Sequence, residues 1–209
     1  MPEDPRQLSF WQLTKDRLWN GFSRTLIEIA FSGARNGSRA LPKGAQVLVN
    51  WDGVNHGILD YLRRYRNTWD GIVDWTRDRT VPLIDEWIRS GEPLDALEKK
   101  LEFYYSPERA QRIATTEVTK LYAEGNQTTW KESGMVSGNR WMTAMDEKVC
   151  PICEPLDGME VELGENGFTT EGGGIGVTGP PLHVSCRCWL QPIVDEEMVR
   201  GQIQEILAE

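Results

Sequence analysis

All four cysteines of the chain, Cys150, Cys153, Cys186 and Cys188, fall between Trp141 and Pro192, together with His183, one of two histidines. They form two tight clusters, Cys150-Pro-Ile-Cys153 and His183-Val-Ser-Cys186-Arg-Cys188, separated by a glycine-rich insert. In the first, the two-residue gap lets one tight turn aim both sulfurs at a single point. In the second, a bulged backbone turns Cys186 and Cys188 inward, and even in a plain strand residues two apart share a face. Zinc wants four such ligands at tetrahedral angles, and the thiols must lose their protons to bind it. Five donors for four places leave one spare. The spacing favours the four cysteines, with His183 standing behind them or replacing one. Two disulfides and free buried thiols are the competing readings.

The rest of the chain narrows the choice. The N-terminus, Met1-Pro-Glu-Asp-Pro, is acidic and lacks a basic-then-apolar export pattern. No apolar run approaches the ~20 residues that span a bilayer, so no membrane partner is expected. A chain made and kept in a reducing cytosol is the expectation, which weakens the disulfide reading and favours metal. With 209 residues, 39% hydrophobic and 26% charged, the sequence has the balance of a soluble protein of one sizeable domain or two small ones. Its net charge of -9 is opposite in sign to that of a generic duplex-binding protein. The small basic patches Arg63-Arg64 and Lys99-Lys100 read as solvated helix faces. Tryptophans crowd the first half, at positions 11, 19, 51, 69, 75 and 87, as packed helices or a partner-facing surface would need.

The elements that must position the cysteines follow from periodicity. Apolar residues at Trp11, Leu18, Phe22, Leu26 and Ile29 predict a helix over 9–31, with Ser9 as its cap, followed by a Gly/Ser/Arg-rich loop over 33–44. A second helical pattern runs through Val47, Trp51, Val54, Ile58 and Leu62, and a third through Trp69, Ile72, Val73 and Thr76. Pro82 breaks or starts the next, through Leu83, Trp87 and Ile88, and Leu94, Leu97 and Leu101 mark a short one. The lone His56 reads as an ordinary surface or core residue. Ser106-Pro107-Glu108 is a strong helix start, and that helix fades near Gly134. Arg112 and Glu117 lie on it, available for polar ties or simple surface pairing. Strands are predicted at 140–144, at 159–163 after the Asp157-Gly158 turn, and at 188–191. Residues 164–179, with Gly172-Gly-Gly174, read as a flexible surface loop, and Asp195 caps a final helix. The fold class is therefore α+β: a helix-rich N-terminal half, then a small antiparallel β subdomain with a Cys/His cluster, then a C-terminal helix. The division expected is a helical, partner-binding region over 1–105 and a cysteine-bearing domain over 106–209.

In order, the chain carries R-I-A-T-T-E (Arg112 to Glu117), W-x4-D (Trp141 to Asp146), V-C-P-x-C, L-D-G (Leu156 to Gly158), P-P-L-H and C-R-C. This series resembles the phage head morphogenesis family, the Mu F-like minor capsid proteins of tailed bacteriophages, over roughly residues 80 to 192. Residue by residue, Asp146, Cys153, Pro181, Cys186, Arg187 and Cys188 fall on the family's pattern. In some members a histidine stands at the position of Cys153 and a non-ligand at that of Cys150. The family's H-P-x-C-R-C reads here with Val184 after His183.

The resemblance implies a structural, non-enzymatic role: a few copies per virion, beside the portal protein and other head proteins, in head assembly and DNA packaging or ejection. The protein would reside in the host cytoplasm during assembly and in the phage head afterwards, with local contact to packaged DNA at most. Two other classes compete. A zinc-dependent hydrolase or nuclease, or a toxin-type domain, would use Asp146 or Glu147 as base, but catalytic zinc keeps an open position and prefers His or carboxylate ligands. A zinc-ribbon nucleic-acid module would need more than Arg140 and Arg187.

Overall fold

The computed structural model describes residues 4–146, 149–165, 167–169 and 176–208. The order is α1 (Leu8–Arg39), α2 (Trp51–Ser90), α3 (Leu94–Tyr105), α4 (Pro107–Ser133), β1 (Val136–Met142), β2 (Glu160–Glu162), β3 (Trp189–Val194) and α5 (Glu196–Ala208). This is the expected α+β class. Among the described residues, no helix is long and apolar enough to cross a membrane.

The chain divides into two compact units, Met1–Thr25 with Tyr61–Arg112, and Leu26–Asp60 with Ile113–Glu209. The described residues of the first form helices and short turns, with no strand. Its interior holds Trp11, Leu62, Tyr65, Val73 and Leu97, and its surface is tied by Lys15 to Asp74 (2.7 Å) and Arg66 to Asp16 (2.6 Å). The segments expected to be separate around Pro82 are one helix, α2. Proline costs that helix one amide hydrogen bond, but its fixed φ is helical, and the apolar face continues on either side. Ser106 caps α4 as expected, accepting from the Arg109 amide at 3.2 Å. His56 is exposed on α2 and bonds the carbonyl of Asp52.

In the second unit the expected loop over 33–44 is a correction: α1 continues to Arg39. Its glycines serve a close helix crossing rather than a turn. A Cβ on Gly33 would stand 2.9 Å from the Tyr122 Cα and carbonyl carbon and nearer still to the carbonyl oxygen, and one on Gly37 would stand 3.0 Å from Asn126. Gly125 answers them from α4. Ala30 and Ala34 are fully buried between, and Thr129 and the Trp130 indole donate to the carbonyls of Ala34 (3.1 Å) and Gly37 (3.0 Å).

The sheet has the order β2-β1-β3, antiparallel throughout, with Arg140 opposite Glu160 on one side and Gln191 on the other. β1 begins earlier than its apolar run suggested, because its first residues pair with the end of β3 through a bulge between Val136 and Gly138. Gly134, at φ 62, stops α4 and turns the chain into β1. The expectation of a surface loop over 164–179 is corrected in part. Phe168 is fully buried, packs edge-on to Trp141 at 5.2 Å, and bridges Val177. Gly172-Gly-Gly174 lies outside the described residues. Asp195 caps α5, accepting from the amides of Glu197 (2.8 Å) and Met198 (3.1 Å).

Candidate metal centre

The two cysteine clusters, 33 residues apart in sequence, meet in the second unit. The first is a tight turn: the amide of Cys153 bonds the carbonyl of Cys150 at 3.0 Å, and its sulfur at 3.3 Å. The second is held from behind by α4. Ser185 sits at φ 62, a left-handed conformation that reverses the chain just before Cys186. Its amide donates to Thr116 Oγ1 at 2.9 Å, and Thr119 Oγ1 donates to the carbonyl of Cys186 at 2.9 Å. Two threonines one turn apart on a helix thus fix the strained knuckle.

The donor atoms fall into two triads, Cys150–Cys153–His183 and Cys153–Cys186–Cys188, each with all its atoms within 4.8 Å of one another. Cys153 belongs to both. Its sulfur is 3.9 Å from that of Cys186, close to the ~3.8 Å between sulfurs sharing tetrahedral zinc at ~2.3 Å. His183 Nε2 is 2.9 Å from the Cys150 sulfur, and its Nδ1 faces the carbonyl of Val184 at 2.8 Å. A carbonyl only accepts, so Nδ1 carries a proton, and Nε2 is the ring nitrogen that faces the cluster. A cavity of about 30 Å³, lined in part by Cys150, Cys153, His183 and Cys188, lies among them.

The electrostatics suit a cation. Cys186 is the favoured thiolate, lowered to about 5 chiefly by a hydrogen bond from Cys188. Burial pushes Cys153 up to about 12, and Cys188 is raised too, first by its hydrogen bond to Cys186. Three buried thiols cannot ionise together without a positive charge among them. The described cysteines form no disulfide.

Two motif carboxylates, Asp146 and Asp157, make side-chain bonds within this unit. Asp146 and Arg187 make a two-bond ion pair at 2.9 and 2.7 Å, joining the end of the Trp141 motif to the C-R-C motif. Asp157, of L-D-G, accepts from the amide and hydroxyl of Thr143 at 2.7 and 2.8 Å, and Gly158 takes φ 77 in the turn that follows. Arg112 is exposed on α4, one turn beyond Glu108, whose carboxyl is lowered chiefly by its own backbone amide, then by Ser106, with the Arg112 charge a smaller cause. Glu117 is partly buried, and its Oε2 has no hydrogen-bond partner among the described residues. Burial raises its carboxyl above the ordinary range, with Lys120 opposing. Glu147 lies outside the described residues. The two threonines were the residues that spacing alone did not single out. A signal was present for one of them, since the T-T of the α4 motif contains Thr116, whereas Thr119 lies beyond the motif.

The model of the Phage Mu protein F like protein family matches residues 83–191. No curated protein and no solved structure matches the chain. The family match covers more than half the sequence and takes in every cysteine, the Asp146–Arg187 pair and the two threonines that brace the second knuckle. The chain belongs to the Phage Mu protein F like family.

Proposed function

We propose that this phage head morphogenesis protein is a minor structural component of a tailed-phage head, docked beside the portal and acting in assembly and in DNA packaging or ejection. The observation that carries the reading is the family match over residues 83–191, which takes in the whole Cys/His cluster. In this reading one zinc ion is held by Cys153, Cys186 and Cys188, with Cys150 or His183 as the fourth ligand. Bound zinc would supply folding energy, on the order of 10 kcal/mol of apparent stability. The chain's own residues do the rest: Thr116 and Thr119 fix the knuckle, and Asp146 with Arg187 closes its rim.

A non-enzymatic role fits the donor set. A shell rich in thiolates closes around a metal, whereas catalytic zinc keeps a position open. The cavity of about 30 Å³ among the donors is of a size to take a single ion. The partners are other head proteins, with the portal foremost, and the protein resides in the virion. The net charge of -9 argues against extended contact with packaged DNA. The test is co-expression with the portal protein of the same phage, followed by size-exclusion chromatography. Co-elution is expected. Separate elution at low salt and micromolar concentration would refute the portal role.

A further inference from the structure

The helical unit carries a cluster that the metal centre does not use. The Arg79 guanidinium lies 3.8 Å from the centroid of the Trp75 ring, and that of Arg109 lies 5.1 Å from it. Tyr104 packs against the same indole at 5.7 Å. Arg109 donates to the carbonyl of Tyr104 (2.9 Å) and to Thr76 Oγ1 (2.8 Å), while Arg79 donates to the carbonyl of Trp75 (3.3 Å). Among the described residues neither guanidinium meets a carboxylate, although Arg66 and Arg77 of the same unit do. Burial lowers the proton affinity of Arg109, as expected of a cation left without an anion. Trp75 remains 37% exposed, Phe103 57% and Tyr105 58%.

Charge is unevenly shared between the units. Of 23 Lys/Arg and 32 Asp/Glu, 14 and 13 fall in Met1–Thr25 with Tyr61–Arg112, leaving 9 and 19 for the other unit. The helical unit is thus near neutral, and what sets Arg79 and Arg109 apart is that both lie on one indole without a carboxylate among the described residues. A polyanion such as DNA is held by a broad basic surface, which this unit lacks. A short segment with a few carboxylates and some apolar side chains matches two guanidiniums set among aromatic rings. Trp, Tyr and Arg are the residues that dominate binding energy at protein interfaces. Guanidiniums already stacked and hydrogen-bonded lose little freedom when a carboxylate arrives.

We propose that Trp75, Arg79 and Arg109, with the exposed Phe103 and Tyr105, form a docking surface for a short acidic segment of another head protein. The proposal deepens the docking role given above and rests on it. The full-length protein, labelled with nitrogen-15, tests it through the Trp75 indole resonance, assigned by its loss in Trp75→Phe. The probes are a short blocked peptide rich in Glu and Leu, and a single-stranded oligothymidylate of equal charge. The peptide shifts the resonance saturably and binds more tightly than the oligonucleotide. Arg79→Gln weakens peptide binding on the order of fivefold. It leaves the fold intact, because this exposed side chain bonds only its own helix. Arg109→Lys keeps the charge, loses the planar fork, and also weakens binding. No saturable shift, equal binding by Arg79→Gln, or tighter binding of the oligonucleotide overturns the proposal. Portal co-elution unchanged in the Arg79→Gln, Arg109→Lys double variant overturns this surface and leaves the portal reading standing. Saturable peptide binding without portal co-elution does the reverse.

Discussion

Gly125→Ala probes the crossing of α1 and α4 on which the second knuckle's support depends. A Cβ there would stand 2.7 Å from the Ala34 amide nitrogen and nearer still to the Ala30 carbonyl oxygen. Both obstacles are backbone within a continuous helix, so no side chain can swing aside. Ordinary carbon contacts need ~3.5 Å or more, so the helices must separate by roughly 1 Å. Overpacking of this kind costs about 1–3 kcal/mol. The separation also stretches the bonds from Thr129 to Ala34 and from Trp130 to Gly37, now 3.1 and 3.0 Å, at about 1 kcal/mol each. Alanine's better helix propensity returns about 1 kcal/mol. The net loss is about 2–4 kcal/mol, or a melting point lower by roughly 5–15 °C for a chain of this size. Gly71→Ala is the control. It lies in α2 with nothing within 4 Å of its would-be Cβ, so propensity alone should stabilise it by about 0.5–1 kcal/mol. Differential scanning calorimetry reads both. A Gly125→Ala protein that melts with the wild type would refute the close crossing.

Three further outcomes follow from the structure. Glu117→Gln should raise the melting point near pH 7 by an amount worth about 1 kcal/mol, and change nothing near pH 4. The sign follows from burial, which raises the folded carboxyl: stability is full below the unfolded pKa and is lost as pH rises through the folded one. Asp195→Ala should cost about 1 kcal/mol in urea denaturation, and Asp195→Asn should recover most of it, because the amides of Glu197 and Met198 need only an oxygen acceptor. Cys153→Ser should abolish any effect of a zinc chelator on the melting point, whereas Cys150→Ser should only weaken it, since Cys153 belongs to both triads and Cys150 to one. A Cys153→Ser protein as chelator-sensitive as the wild type would contradict the shared-ligand geometry.

Much of the fold was legible because its signals were local. Ser106 and Asp195 announce their helices through capping chemistry that needs no tertiary partner. Asp157-Gly158 announces its turn in the same way. What escaped was decided by distant packing. The glycines at 33 and 37 look like loop punctuation, but they are helical and let Tyr122 and Asn126 of α4 approach closely. Pro82 looks like a break, yet the apolar face on both sides holds α2 together. Phe168 sits in a glycine-rich stretch and is claimed by Trp141. At the cysteine cluster, residue type and spacing named the side chains that come together, but not their division into two triads or the bracing by Thr116 and Thr119. Those depend on where α4 passes, which no local pattern encodes.

Zinc content measured together with thiol reactivity on the native, untagged protein tests the central claim most directly. The account predicts one zinc per chain and cysteines that stay unreactive until a chelator is added, whereupon metal and protection are lost together. Metal-free protein whose four cysteines react freely while the fold persists would contradict it.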